Sequence, residues 1–134
     1  MSLPEYIPVR DVMRKDVVFV DGLTDVFTAL KMMKKNDVTC LMVNKRHNND
    51  EYGMLLFSDI AKQVIGKDRA PERVSVYELM AKPVLAIKPN MDIRYCARLF
   101  SNFGIGHAPV VENDEIVGMV SYYLLVLGGL PDLD

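Results

Sequence analysis

The chain carries its own duplicate. Residues 9–20, "VRDVMRKDVVFV", return 67 positions later as "VYELMAKPVLAI" at 76–87, so that Met13 falls on Met80, Val17 on Val84 and Val20 on Ile87. The same offset carries Asp25-Val26 onto Asp92-Ile93, Ala29 onto Cys96, Met33 onto Phe100, Val38 onto Ile105 and Val43 onto Val110. The register slips only in the next loop, where 44–52 is two residues longer than 111–117, and Gly53 then meets Gly118 at an offset of 65. A polar hairpin tip absorbs such a difference without disturbing the strands on either side. Whatever this chain folds into has to be built twice from one unit.

Each copy has the same grammar. A short β-branched run, "VVFV" or "VLAI", reads as a buried strand. A helix follows. In "DVFTALKMMKKN" the apolar residues Val26, Ala29, Leu30 and Met33 recur at helical spacing, Thr24 is placed to cap the start, and lysines gather at the end, where the helix dipole favours them. Its twin "MDIRYCARLFSNFG" sets Ile93, Cys96, Ala97 and Phe100 on the corresponding face and stops at Gly104. Then "TCLMVN" and "YGMLLF", and "HAPVVE" and "EIVGMVS", read as hairpin pairs across polar turns. Ser58-Asp59 and Ser121 sit where N-caps belong, opening "IAKQVI" and "YYLLVL". The fold class is α/β (α+β), with strand, helix, strand, strand, helix used twice, each with a small three-stranded sheet. Residues 9–66 and 76–130 are the two repeats, and 67–75 link them.

Composition removes several functions. With 134 residues the chain is one compact domain's worth, able to bury roughly two thirds of its unfolded surface. A net charge of −2 and a pI near 5.7 offer no basic excess to release counterions from nucleic acid, nor a polybasic patch for anionic lipid. The start "MSLPEYIPVR" has no cationic then apolar leader, and no apolar run approaches the roughly 18 residues that cross a bilayer. A soluble cytoplasmic protein without nucleic-acid or membrane partners is expected. Cys40 and Cys96 have neither C-x-x-C spacing nor clustered histidines, and read as buried free thiols. Of the two histidines, His47 belongs to a polar loop. No nucleophile has a recognisable base and there are no paired acids or metal-ligand spacings, so neither catalysis nor a metal is expected.

"VRDVM" and "VYELM" before the first strands, "YGMLLFSDI" in the first copy and "FGIGHAPVVENDEIVGMVS" in the second together resemble a tandem pair of CBS domains, the cystathionine-β-synthase-type repeat that forms a Bateman module. The resemblance implies two units about a pseudo-twofold axis, two clefts that bind adenine-containing ligands, and a disc-like homodimer. It implies a ribose-binding acid in a motif Gly-h-h-(Ser/Thr)-x-(Ser/Thr)-Asp. Gly53, Ser58 and Asp59 match it, while Leu56 replaces the first hydroxyl. Carried over by position, the main cleft joins Leu56, Ser58 and Asp59 to Lys82, Pro83, Val84 and Leu85 and to Ile105, His107 and Pro109. Lys82 and a protonated His107 are its phosphate candidates. The second cleft joins Ser121 to Lys15, Val17, Val18, Thr39 and Cys40. It is degenerate, because Leu124 stands where the acid belongs.

A carboxylate at a helix start accepts two hydrogen bonds from a ribose diol, and a neighbouring hydroxyl suits phosphate oxygens. The expected function is therefore a non-catalytic sensor of AMP, ADP or ATP, with S-adenosylmethionine and NAD as further ligands and no required cofactor. It would signal by a change of conformation or dimer geometry to a separate effector protein. The competing expectation is a dimerisation and interaction module with decayed clefts, suggested by Leu56, Leu124 and surplus apolar residues such as Phe27, Met32, Tyr95, Leu99 and the "YYLLVLGGL" stretch. In that case Ser58 and Asp59 merely cap a helix.

Overall fold

Val26, Ala29 and Met33 are spaced to share one face of a helix, and all three are buried in α1 (Val26–Asn36). The computed structural model describes residues 5–82 and 84–130. They fall into two compact units, a central one, Val18–Val84, and a terminal one, Met1–Val17 with Leu85–Asp134.

In the central unit β1 (Phe19–Val20) pairs parallel with β2 (Cys40–Val43), which pairs antiparallel with β3 (Gly53–Leu56). β2 is buried along its whole length, so it reads as an unbroken apolar run instead of an alternating one. Leu41, Val43 and Leu55 meet Val26, Ala29 and Met33 in the core. The chain then turns into α2 (Phe57–Ile60), which continues as a π-helical turn, Ala61–Ile65, and α3 (Val76–Leu79) closes the unit.

The terminal unit repeats the plan with α4 (Ile93–Phe103), β4 (His107–Glu112), β5 (Glu115–Ser121) and α5 (Tyr122–Gly129). Its sheet has two strands. The expected strand "VLAI" is reduced to a parallel bridge between Ile87 and Val110, held by Ile87 N–H to Pro109 O at 2.9 Å and Val111 N–H to Ile87 O at 2.8 Å. β4 and β5 join through Asn113-Asp114, both at positive φ (53° and 63°), the backbone of a tight hairpin turn whose twist matches its strands.

These units cut the chain differently from the sequence repeats. Residues 9–14 of the first repeat hydrogen-bond to the second. Val9 N–H reaches Met91 O at 2.8 Å, and Arg14 and Met119 exchange both backbone bonds, at 2.9 and 2.8 Å. The second repeat returns the same contacts 67 residues on. Val76 N–H reaches Thr24 O at 2.8 Å, and Ala81 and Met54 exchange two bonds of 2.9 Å. The strings "DVM" and "ELM" thus place Met13 over Gly118 and Met80 over Gly53, each covering a glycine where a Cβ would collide with the thioether.

The start of α1 corrects one expectation. Asp25, not Thr24, is the N-cap: its carboxylate accepts from Thr28 N–H at 2.9 Å and from Thr28 Oγ1 at 2.7 Å. Thr24 sits a residue too early, and its carbonyl is taken by Val76 N–H. Asp25→Ala is expected to cost about 1 kcal/mol in urea unfolding and Thr24→Ala only a few tenths; the reverse order would return the cap to Thr24. At the far ends Asp37 (φ 53°) and Gly104 (φ 63°) hold the equivalent left-handed C-cap positions.

Candidate functional site

The two strand-to-helix corners occupy corresponding places but divide the polar work between them. Phe57 N–H donates to Thr39 O at 3.1 Å, and its counterpart Tyr122 N–H donates to Gly106 O at 3.2 Å. The N-caps are therefore Leu56 and Ser121, one residue before each. Ser121 acts as expected, its Oγ accepting from Leu124 N–H at 3.3 Å. Ser58 and Asp59 do not. They lie inside the first turn of α2, whose cap residue makes no side-chain hydrogen bond. The reason is local: β3 stays extended through Leu56 (φ −112°, ψ 147°), and the helix begins at Phe57.

Asp59 is half-buried and Ser58 exposed, and neither side chain has a hydrogen bond or ion pair among the described residues. A carboxylate in the first turn of a helix suits the dipole, yet nothing in its own unit uses this one. The capping explanation therefore holds for Ser121 and fails for Asp59.

Within each unit, cross-strand register brings together residues that the resemblance assigns to different clefts. Cys40 pairs with Leu56 in the central unit, and His107 with Ser121 in the terminal one. Thr39 is exposed and contributes its carbonyl to the α2 corner, while Lys15 is exposed and Val17 and Val18 are half-buried. In the terminal unit Leu85 and Ile105 pack partly buried against the core, and Pro109, buried, gives its carbonyl to Ile87. Val84 of the central unit is half-buried, and Pro83 lies outside the described residues.

Two expectations about charge change. Burial pushes the His107 ring below the ordinary histidine range, which disfavours the protonated form that a phosphate contact would use. Lys82, the other phosphate candidate, already has an anionic partner. Its Nζ lies 2.7 Å from Asp50 Oδ1, with side-chain exposures of only 21% and 9%. The cysteines behave as read: both are buried free thiols, pushed up by burial to about 12 for Cys40 and about 11 for Cys96. His47 is exposed in its loop. Among the described residues no group of three or more His, Cys, Asp or Glu side chains is placed to hold a metal ion, and no helix is long and apolar enough to cross a membrane.

Comparison with known proteins bears on the same segments. The family profile of the CBS domain matches twice, at residues 9–66 and 76–126. The protein MJ0450 of Methanocaldococcus jannaschii is 28% identical over 116 residues, 86% of this chain and 62% of its own length, so the chain spans under two thirds of that relative. Among solved structures, a hexameric CBS-CP12 protein from bloom-forming cyanobacteria superposes with a TM-score of 0.88 at 32% identity, covering 92% of this chain and 68% of that one. The CBS domain pair of protein MJ0100, solved in complex with 5′-methylthioadenosine and S-adenosyl-L-methionine, superposes with a TM-score of 0.77 at 20% identity, covering 90% and 98%.

Proposed function

The chain belongs to the CBS-domain family, and from that premise we propose that it is a non-catalytic sensor of an adenine-containing ligand, with Asp59 as the ribose acceptor and Ser58 beside it. The observation that carries this reading is the Asp59 carboxylate, half-buried in the first turn of α2 and without a partner among the described residues. A carboxylate held ready and unspent matches a diol, which donates two hydrogen bonds. The adenosyl ligands of the MJ0100 pair support the ligand class. AMP, ADP, ATP, NAD and S-adenosylmethionine share the adenosine portion that such an acid reads. The corner at Ser121 spends its hydroxyl on a helix cap and has Leu124 where the acid belongs, so its ligand is weaker or absent. Binding shifts the population between conformations or dimer geometries, and a separate protein reads the change.

A second reading, self-association without a ligand, is favoured by α5. That helix is apolar nearly all round, and Tyr123 (70%), Val126 (52%) and Leu127 (48%) are exposed on it. That the similar CBS-CP12 protein is hexameric supports this reading. Thermal unfolding with each of the five adenosine-containing ligands separates the readings. A ligand at 100 times its dissociation constant stabilises by about 2.7 kcal/mol. No shift with any of the five leaves self-association alone standing.

A further inference from the structure

The loop that broke the register of the repeat has built something its counterpart lacks. In the terminal unit the hairpin closes in two residues, Asn113-Asp114, and Lys15, the counterpart of Lys82, is exposed. In the central unit the longer loop 44–52 brings Asp50 back toward the chain. Asp50 accepts from Arg46 N–H at 2.9 Å and from Arg46 Nε at 3.3 Å, and pairs with Lys82 Nζ at 2.7 Å. Lys82 and Arg46 hold its carboxyl far below the usual carboxylate range, Lys82 contributing most, so Asp50 stays ionised at any ordinary pH. This ion cluster borders a cleft of about 950 Å³ that lies entirely within the central unit.

The lining mixes charge with apolar surface. Leu23 and Tyr77 are 79% and 53% exposed, and both line the cleft with the half-buried Met80. Lys45, Arg46 and Lys82 oppose two carboxylates, Asp50 and Asp21. Asp21 Oδ1 also accepts from Leu23 N–H at 3.1 Å, which fixes that carboxylate to its own loop. With three cations against two carboxylates, the lining carries a cationic excess of one. An ammonium has three donors, and the Asp50 contact takes one from Lys82. The Arg46 side chain is 78% exposed, and its 3.3 Å contact leaves the rest of the guanidinium fork available.

We propose that this cleft binds a small organic anion, with a carboxylate or phosphate group held by Lys82 and Arg46 and an apolar body lying against Leu23, Tyr77 and Met80. Asp50 keeps the two cations in place when the site is empty and shares them when the anion enters. The site is independent of Asp59, which is neither part of the cleft lining nor bonded to it.

Amide chemical-shift titration of the ¹⁵N-labelled full chain with phenyl phosphate, benzoate and inorganic phosphate tests this. At least one aryl anion is expected to move the resonances of 44–50 and 77–82, about tenfold more tightly than inorganic phosphate, which has no apolar body. The tighter of the two identifies the head group. Arg46→Gln should weaken binding about tenfold, as loss of a charge-assisted hydrogen bond does, and Lys82→Met at least as much. Lys15→Met and Asp59→Ala should leave it unchanged. Because the Arg46 side chain is largely solvated, Arg46→Gln keeps the test decisive even if Lys82→Met unfolds the protein. The proposal is overturned if neither aryl anion perturbs 44–50, if inorganic phosphate binds as tightly, or if Lys15→Met costs as much as Arg46→Gln.

Discussion

Replacing Gly118 by alanine is expected to lower the melting temperature by about 5–10 °C, an overpacking cost of about 2 kcal/mol. A Cβ at 118 would collide with Met13 Sδ, and would lie 2.9 Å from Met13 Cγ and 3.0 Å from Arg14 O. The thioether can rotate away, but the carbonyl cannot. Arg14 and Met119 are tied by two backbone hydrogen bonds of 2.9 and 2.8 Å, so making room means breaking a bridge. Gly53 poses the same problem in milder form: its Cβ would meet Met80 Sδ at 2.7 Å, with Ala81 O at 3.3 Å. Gly118→Ala should therefore cost more than Gly53→Ala, as read by thermal unfolding. Adding Met13→Ala should recover part of the Gly118→Ala loss, with a coupling of about 1 kcal/mol. A neutral Gly118→Ala would mean that the methionine and the glycine are not packed on each other.

This pairing also marks what the sequence does and does not disclose. The repeat at offset 67 made the element order legible, because periodicity and β-branched runs report which face is buried, and copies that agree reinforce each other. It could not disclose that "DVM" and "ELM" pack in exchange, since a repeat in the chain says nothing about which copy a segment joins. Strand length was overread at "VLAI" for a related reason: β propensity records a half-buried extended segment, not the number of ladder bonds it makes. The N-cap at Thr24 was displaced by one residue because Asp25 is an equally good acceptor, and only the backbone turn chooses between them.

At the candidate site, residue type was legible and role was not. Leu56, not Ser58 or Asp59, stands where Ser121 stands, because the offset of 65 holds through the corner. That offset is present in the chain and predicts the correct equivalence, yet Ser and Asp are both strong N-cap acceptors, so residue type near a helix start favours Ser58 and Asp59 over Leu56. The two-residue surplus in 44–52 was equally visible. Nothing in the order of residues discloses that it turns Asp50 toward Lys82.

Because the corners share their backbone but not their polar side chains, Asp59→Ala and Ser121→Ala should have opposite signatures. Asp59→Ala removes a carboxylate with no partner among the described residues, so unfolding stability should change by less than about 0.5 kcal/mol. For whichever adenosyl ligand the thermal scan selects, its affinity should fall roughly 10- to 100-fold. A desolvated ribose diol left without its acceptor costs about 1–3 kcal/mol. Ser121→Ala removes the acceptor for Leu124 N–H and should cost about 1 kcal/mol of stability, while ligand affinity changes by less than about threefold. Isothermal titration and urea unfolding of the two variants read both axes. If Asp59→Ala destabilises the fold and leaves affinity intact, the acid is structural and the sensor reading fails. If both variants lose affinity equally, the corners are functionally equivalent, and the missing acid at Leu124 does not separate them.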